Sequence, residues 1–264
     1  AKDIKKDVYI VINEYNDTLS EVFEQAKETE AYNFITSEKA LNLLDDESLV
    51  VLLDTHRAVL AECPGLVDMC ERLVIIDHHR RSEDAIDNAT LAYMEPYASS
   101  TSELVTEMLQ YAGAKKTISK LEAEALLGGM TIDTNRFAVQ TGVRTFEAMA
   151  YLRRNGVDVI RLRKAFRENM GEYRIKAAAI EATNLYLDSY AITESKAEGT
   201  DSPTVLAAKI ANELLDISGV KASFVLTNYN DKIYISARSI DEVNVQVMME
   251  KLGGGGHINI AGAQ

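Results

Sequence analysis

Carboxylates and imidazoles follow apolar runs at three places in this sequence. The residues concerned are Asp54, Asp77, His78, His79 and Asp133. The first follows residues 50–53, the next three follow residues 73–76, and the last comes after a helical pattern and a short apolar step. Carboxylate and imidazole donors with little sulfur suit a divalent ion such as Mn²⁺. A carboxylate bridging two such ions could clamp the attacking and leaving oxygens of a phosphoryl transfer.

Each of these residues also has a simpler interpretation. Asp54 would serve as a turn acid or a helix cap, and Asp133 taken alone is more often a cap than a ligand. His78 and His79 cannot both point the same way from an extended chain. One would ligate while the other faces a substrate, or either would only pack. The residues by themselves leave these alternatives open.

A glycine run that ends in a histidine lies near the end of the sequence: Gly253, Gly254, Gly255, Gly256 and His257. Consecutive glycines let a backbone approach a ligand closely and present N–H donors to an anion. A flexible linker is the alternative, but linkers usually contain serine and do not close a helix. The run therefore favours a ligand-binding loop.

Arginines at predicted element ends are candidates for contact with an anion. Arg238 follows a predicted strand, where it could pair bidentately with a phosphate or form a surface salt bridge. Arg80 and Arg81 are either phosphate partners or solvated charges. Ser100 and Glu103 form a predicted capping box, and a helix N-terminus is a ready phosphate site, although most such signals only start a helix.

Apolar runs that alternate with helical patterns predict an α/β fold with a parallel sheet for the first part of the chain. Strands are expected at residues 7–13, 48–53, 73–76 and 91–95, and helices at residues 18–28, 37–44, 117–130 and 145–155, with a further helix after Ser100. The carboxyl ends of neighbouring parallel strands converge on one edge. Asp54, His78 and Asp133 could therefore meet there.

The pattern changes towards the end of the chain. The charged helical stretch at residues 159–181 predicts a connection. A smaller α+β domain should follow, with a strand at 186–193, a helix at 203–215 capped by Ser202, a hairpin at 222–229 and 232–237, and a helix at 244–252. We expect a first domain at residues 1–158, a helical connection at 159–185 and a second domain at 186–264.

The composition narrows the class of protein. The chain has 264 residues, 47% of them hydrophobic, and a net charge of −13, which argues against a duplex nucleic-acid binder. No apolar run reaches the roughly 18–20 residues of a membrane span. Cys63 and Cys70 indicate reduced thiols in a cytoplasm. All four histidines lie near an Asp or the glycine run, which is unusual for incidental residues.

Several motifs together resemble the DHH phosphoesterase superfamily with its DHH-associated domain. They are Asp77-His78-His79 after an apolar strand, Asp54-Thr55 upstream, Asp133-Thr134 downstream, and Gly253 to His257 near the end. Residues 74–81, 93–101, 141–146 and 235–239, with Asn244-Val245, more narrowly resemble the cyclic-di-AMP phosphodiesterases of the GdpP type. The resemblance covers essentially the whole chain.

The resemblance implies a Mn²⁺-dependent hydrolase that cuts cyclic di-AMP to linear pApA, with two ions per intact site. Asp54 would bridge both ions, and His78 and Asp133 would ligate the second. His79 would contact the scissile phosphate, Asp77 would orient the imidazoles, and Ser99 and Ser100 would lie near the phosphate. Arg238, Gly253 to Gly256 and His257 would hold the nucleotide. The family also implies a homodimer and a membrane-anchored parent protein with this part in the cytoplasm.

One motif of the family, His-x-x-x-Asp-x-Asp after the first strand, is absent, and residues 1–50 contain no histidine. We expect the chain to be a fragment, with fewer ions than an intact site or none; the alternative is a relative that has lost full metal binding. A nanoRNase or pAp phosphatase of the same family, and a nucleotide receptor with a degenerate metal site, are the competing functions.

Overall fold

The computed structural model describes residues 6–13, 20–29, 31–111, 118–200, 202–240, 242–256 and 258–264. The chain divides into two compact units, residues 1–166 and 167–264. Every helix among these described residues is too short or too polar to cross a lipid bilayer.

Short parallel strands form the sheets of the first unit. In the described residues they are β1 (Tyr9–Val11), β2 (Asn33–Ile35), β3 (Val50–Leu53), β4 (Leu73–Asp77) and β5 (Leu91–Met94). β1 pairs with β2, and β4 lies between β3 and β5 in a second sheet. All these pairings are parallel, which confirms the predicted α/β fold. β4 is largely buried, as its apolar sequence predicts.

Helices connect and cover these strands. They are α1 (Ser20–Glu28), α2 (Ser37–Leu43), α3 (Pro64–Met69), α4 (Thr101–Tyr111), α5 (Lys120–Asp133), α6 (Val143–Arg154) and α7 (Val159–Ala165). Helix α1 lies in the crossover from β1 to β2 and α3 in that from β3 to β4, whereas a loop at residues 78–90 makes the crossover from β4 to β5. Buried apolar residues of α5 and α6, among them Leu127, Met130 and Leu152, form one core cluster of this unit.

Helix α5 differs from the predicted helix at residues 117–130. It starts at Lys120, where Ser119 and Glu122 form a capping box, and it continues to Asp133. The helix passes through two glycines, each of which costs about 1 kcal/mol relative to alanine. Packing explains why, since a Cβ on Gly129 would lie 2.2 Å from Oγ of Ser102 on α4. Asp133 is therefore the last helical residue and does not follow an apolar step.

The second unit is an α+β fold, as predicted. Its described elements are α8 (Met170–Glu181), β6 (Asn184–Tyr186), β7 (Tyr190–Ser195), α9 (Pro203–Leu214), β8 (Ala222–Tyr229), β9 (Lys232–Ser239), α10 (Val245–Glu250), β10 (Gly255–Gly256) and β11 (Ile260–Ala263). They form one sheet in the order β10-β11-β9-β8-β7-β6, in which only the β7–β8 pairing is parallel. Buried Leu206, Ile210 and Leu214 of α9 belong to one core cluster of this unit.

Three sequence predictions at element boundaries are confirmed only in part. The helical stretch at 159–181 is two helices, α7 and α8, because Asn169 caps a new helix by accepting the N–H of Glu172. The strand at 186–193 is a hairpin, because Leu187 and Asp188 both adopt positive φ, at 50° and 55°. Ser202 precedes α9 but makes no side-chain cap.

Close packing of β10 explains glycine at two positions of the run, whether or not the run binds a ligand or acts as a linker. β10 packs so closely on β11 that a Cβ on Gly254 would lie 2.0 Å from the carbonyl oxygen of Gly262. A Cβ on Gly256 would lie 2.4 Å from that of Ile260. Gly253 has a φ of +83°, whereas a Cβ on Gly255 meets nothing within 4 Å. Gly253 also has room for a side chain, but its positive φ disfavours one, so Gly255 alone combines space with an ordinary backbone conformation.

This difference makes a paired test. We expect Gly254→Ala to lower the free energy of unfolding by about 1–3 kcal/mol, the usual cost of forcing atoms into a packed site. Gly255→Ala is the matched control and should change it by less than about 0.5 kcal/mol. Urea unfolding of the two variants measures the difference. Equal stabilities would show that β10 does not pack against β11 in this way.

Candidate active site

The three strands of the second sheet bring Asp54 and the Asp77–His79 segment to one edge. Asp54 follows β3, and its N–H donates to the carbonyl of Ile76 on β4 at 3.0 Å, which extends the ladder by one residue. Asp77 is the last residue of β4. Asp54 then turns the chain with a φ of 65°, a left-handed conformation that Asp tolerates better than most residues.

Asp77 is a fully buried carboxylate that bridges two imidazoles. Its Oδ2 lies 2.5 Å from Nδ1 of His56, and its Oδ1 lies 2.7 Å from Nδ1 of His79 and 3.1 Å from the backbone N of His79. Burial raises the pKa of Asp77, but the hydrogen bonds from His79 and His56 outweigh it and hold that pKa well below its usual range. Asp77 is therefore ionised and accepts hydrogen bonds from both rings.

These contacts assign the tautomer of His79 from the hydrogen-bond network. Because ionised Asp77 only accepts, Nδ1 of His79 donates to it, and Nε2 is the ring nitrogen not engaged with Asp77. The hydrogen bond to Asp77 raises the pKa of His79; burial opposes this, and the charges of Asp77, Asp54 and Asp133 add to the rise. His79 therefore holds a proton more readily than an ordinary histidine.

The contacts of His78 assign the same tautomer, which leaves its Nε2 available as a ligand atom. Its Nδ1 lies 3.3 Å from the carbonyl oxygen of Ala98, an acceptor, so Nδ1 carries the proton. Its Nε2 lies 3.5 Å from Oδ1 of Asp54 and 4.0 Å from Oδ2 of Asp133. Nε2 of His78 thus points between two carboxylates, while Nδ1 donates to a backbone carbonyl, as the other ring nitrogen of metal-binding histidines usually does.

Asp133 closes this arrangement from the C-terminal end of α5. Burial, followed by the negative charge of Asp54, raises the pKa of Asp133 to about 7, and His79 partly opposes this. Two carboxylates that face each other without an intervening cation repel, and protonation of one relieves the repulsion. A divalent cation would relieve it more fully.

The donor set fits a divalent ion. Ligand atoms of Asp54, His78 and His79 lie within 4.8 Å of one another, and Asp133 borders the same space. Two donors bound to the same ion at about 2.1 Å lie roughly 3–4 Å apart, close to the distances from Nε2 of His78 to Asp54 and Asp133. Oxygen and imidazole donors without thiolate suit Mn²⁺ or a similar ion. The structure thus brings the three predicted ligands together.

Ser99 and Ser100, predicted to lie near a phosphate, are buried at the start of α4. Oγ of Ser100 accepts the N–H of Glu103 at 3.1 Å, the expected cap. The Glu103 carboxylate does not return to Ser100; it accepts from Oγ of Ser99 at 2.5 Å. Arg144 forms a bidentate pair with Glu107 and lies 4.0 Å from Glu103. This network holds the helix start next to Ala98, which binds His78.

The predicted nucleotide-binding residues that the structure describes lie in the second unit. Arg238 is on β9 and donates to Oδ1 of Asn212 at 3.1 Å and to the carbonyl of Ala237 at 2.9 Å. Burial lowers its pKa, and no carboxylate among the described residues lies within ion-pair distance. The surface salt bridge is therefore not formed there. His257 lies outside the described residues.

Arg238 and the glycine run lie on strands of the same sheet, with β11 between them. β9 pairs with β11, which places Arg238 opposite Ile260, and β11 pairs with β10, which places Gly256 opposite Ala261. Neighbouring strands are about 4.8 Å apart, so two strand spacings separate Arg238 from the glycines. The backbone of Arg238 and that of the glycine run are therefore about 10 Å apart.

Sequence reasoning gave Glu103 only a capping role and assigned no role to His56 or Arg144. The position of His56, two residues after Asp54, was a usable signal, but only the fold shows that its ring reaches Asp77. Arg81, by contrast, pairs with Asp87, which supports the interpretation of that arginine as a surface charge.

Comparison with known proteins agrees with this fold. Residues 7–130 match the DHH family, N-terminal domain, and residues 190–264 match the DHHA1 domain. The chain is 43% identical to "Cyclic-di-AMP phosphodiesterase GdpP" of Bacillus subtilis, an alignment that covers 100% of this chain and 41% of that protein. It is 46% identical to the protein of the same name from Geobacillus thermodenitrificans, covering 87% of this chain and 35% of that protein.

A solved structure shares the whole fold. An exopolyphosphatase-related protein from Bacteroides fragilis superposes with a TM-score of 0.85 at 22% identity, over 100% of this chain and 79% of that one. The fold and the two matched domains define the class: this chain belongs to the DHH family and carries a DHH N-terminal domain followed by a DHHA1 domain. It spans about two fifths of the length of the GdpP relatives.

The raised pKa of Asp133 predicts a pH-dependent cost in metal-free protein. An exposed Asp has a pKa near 4, whereas Asp133 has about 7 in the folded state. Below about pH 4 the Asp133 carboxyl is protonated in both the folded and the unfolded state and costs no stability. As the pH rises from about 4, the unfolded chain releases this proton first, so the free energy of unfolding falls until the pH passes about 7. The full pKa shift corresponds to roughly 4 kcal/mol, and we halve this value because solvent screens the exposed Asp54. In EDTA at pH 8, Asp133→Asn should therefore raise the free energy of unfolding by about 2 kcal/mol.

The same variant at pH 4 should match the parent chain, since Asp133 is neutral there. Exposed Glu147→Gln on α6 serves as the control and should show no pH-dependent gain. Thermal unfolding at the two pH values measures these differences. Equal stability of Asp133→Asn and the parent at pH 8 would contradict a pKa of Asp133 raised by burial and by the charge of Asp54.

Proposed function

We propose that this chain forms part of a divalent-metal phosphodiesterase that hydrolyses cyclic di-AMP to linear pApA. The observation that carries the proposal is the meeting of Asp54, His78 and Asp133 around one space beside His79. Two relatives that bear the name cyclic-di-AMP phosphodiesterase support the choice of substrate. The fold match alone would not distinguish among phosphoesters.

Asp54, His78 and Asp133 would hold a divalent cation, for which we propose Mn²⁺. Bound divalent ions supply charge neutralisation at phosphate oxygens and lower the pKa of water. By family resemblance Asp54 would bridge to a second ion in an intact site. The chain's own contribution is a neutral imidazole nitrogen and two carboxylates that already face one another.

His79 is the proposed contact for the scissile phosphate. Asp77 fixes its ring through Nδ1, and the raised pKa keeps Nε2 protonated over a wider pH range. A protonated imidazole donates a charge-assisted hydrogen bond to a phosphate oxygen. Such a donor is most effective where charge develops in the transition state. We assign Ser99 and Ser100 a positioning role, since their hydroxyls are used at the start of α4.

We assign nucleotide binding to Arg238 and the glycine run, with His257. Arg238 keeps its charge in a largely buried position where no carboxylate of the described residues pairs with it, an arrangement that favours an anionic ligand. The N–H groups of Gly253 and Gly254 already donate to the carbonyl oxygens of Glu250 and Met249. The N–H groups proposed to meet a phosphate are therefore those of Gly255 and Gly256, which carry no side chains that would block approach. A homodimer and a membrane-anchored parent are further parts of the proposal and rest on the resemblance alone.

Hydrolysis tests the proposed reaction. The full-length gene product with Mn²⁺ should convert cyclic di-AMP to pApA faster than it degrades pApA or pAp, and EDTA should stop the reaction. Preferred turnover of pApA or pAp would favour a nanoRNase or pAp phosphatase. Tight cyclic-di-AMP binding that survives EDTA without product would favour a receptor. Liquid chromatography of the products separates these outcomes.

His79→Gln should lower kcat about 100-fold, the usual loss when one transition-state donor is removed, while bound Mn²⁺ is retained. His78→Ala should instead lower the Mn²⁺ content, because it removes a ligand. Glu147→Gln is the control for both. Metal analysis of the dialysed proteins together with initial rates gives the result. Loss of Mn²⁺ from His79→Gln would make His79 a ligand, contrary to the proposed division.

Arg238→Lys keeps a charge but removes the planar fork that matches a phosphate. We expect KM for cyclic di-AMP to rise about tenfold, equivalent to one charge-assisted hydrogen bond, with Mn²⁺ content unchanged. Arg174→Lys on α8, at an exposed position of the same unit, is the matched control. An unchanged KM in Arg238→Lys would remove Arg238 from the nucleotide-binding set.

A further inference from the structure

His56 is a buried imidazole outside the proposed metal set. Its side chain is only 5% exposed, yet both ring nitrogens have polar partners. Nδ1 lies 2.5 Å from Oδ2 of Asp77, and Nε2 lies 3.0 Å from both the backbone N and the Oγ of Ser82. Both ring nitrogens are thus satisfied, as a buried imidazole requires.

The contacts of His56 define its tautomer from the hydrogen-bond network. The backbone N–H of Ser82 can only donate, so Nε2 of His56 accepts. The proton is therefore on Nδ1, which donates to Asp77. Since Asp77 is ionised and accepts from His79 through its other oxygen, one carboxylate receives a ring N–H from each side.

His56 also holds the chain that carries His79. The carbonyl oxygen of His56 accepts the N–H of Ile86 at 2.9 Å, in addition to the ring contacts with Asp77 and Ser82. The segment from Asp77 to Ile86 is thus tied to a single residue at its beginning, middle and end. His79 lies within this segment.

We propose that His56 is a positioning residue that acts on His79 through Asp77. This inference rests on the proposed function for its catalytic consequence, but its structural content is independent of the substrate. If His56 did not donate to Oδ2, that oxygen would be a buried acceptor without a partner. The carboxylate could then rotate or take up a proton, and His79 would lose the fixed acceptor that sets its tautomer and ring orientation.

Two substitutions separate this role from simple core packing. His56→Asn places an amide N–H near the position of Nδ1 and retains a donor to Asp77. His56→Gln places its amide near Nε2, so it keeps contact with Ser82 and leaves Oδ2 of Asp77 without the donor. Arg57→Met is the matched control, because Arg57 holds the same segment from outside through the exposed Asp84.

Long-range ¹H–¹⁵N spectra of the imidazoles in metal-free protein give the direct readout. The parent chain should show both His56 and His79 with a proton on Nδ1. His79 signals should stay near those of the parent in His56→Asn and Arg57→Met and should move in His56→Gln. In the full-length product, His56→Gln should lower kcat about 10- to 100-fold, as outer contacts of a site do, with KM within about threefold.

Unchanged His79 signals in His56→Gln would overturn the inference, even if the variant were less stable. If the variants do not fold, the parent spectrum still decides, since His56 without a proton on Nδ1 cannot donate to Asp77. Failure of the hydrolysis assay would refute the proposed function but leave this spectroscopic test unaffected. A lower kcat with parent-like His79 signals would likewise count against the inference.

Discussion

A carboxylate with no solvent exposure, Asp77, is the group on which the first unit's site depends. A buried charge is tolerated only when hydrogen bonds replace the lost water, and two imidazoles and a backbone N–H do so here. The arrangement works in both directions, because the ionised carboxylate also determines which nitrogen of each ring carries the proton. The hydrogen bonds that satisfy this one buried charge fix the end of β4, the loop after it and the tautomer of His79.

The carboxylates of Asp54 and Asp133, a few ångströms away, are in an unfavourable electrostatic environment. Asp54 and Asp133 face each other across His78, and burial, followed by the negative charge of Asp54, raises the pKa of Asp133 to about 7. Asp54 also adopts a left-handed conformation, which costs an L-residue about 1–2 kcal/mol. Unfavourable charge and backbone strain are thus concentrated where the proposed ion would bind, as expected of a site arranged for a ligand.

In the second unit, the glycines proposed to bind the nucleotide also pack the sheet. The absence of Cβ atoms at Gly254 and Gly256 lets β10 approach β11. Gly255 is different, since nothing nearby excludes a side chain. A glycine run therefore need not have one cause at every position. The substitution that tests ligand binding should be made where packing does not also change.

The sequence by itself determined the parallel α/β and α+β parts, because apolar periodicity reflects burial, and it identified Asp54, His78 and Asp133 as residues that could meet. Tertiary structure decided that α5 continues through its glycines to Asp133, because the fit of Gly129 against α4 outweighs the poor helix propensity of glycine. It also decided the tautomers of His56, His78 and His79, the repulsion at Asp133 and the lack of a described carboxylate beside Arg238. These properties depend on distances between residues far apart in sequence, and local patterns carry no information about such distances.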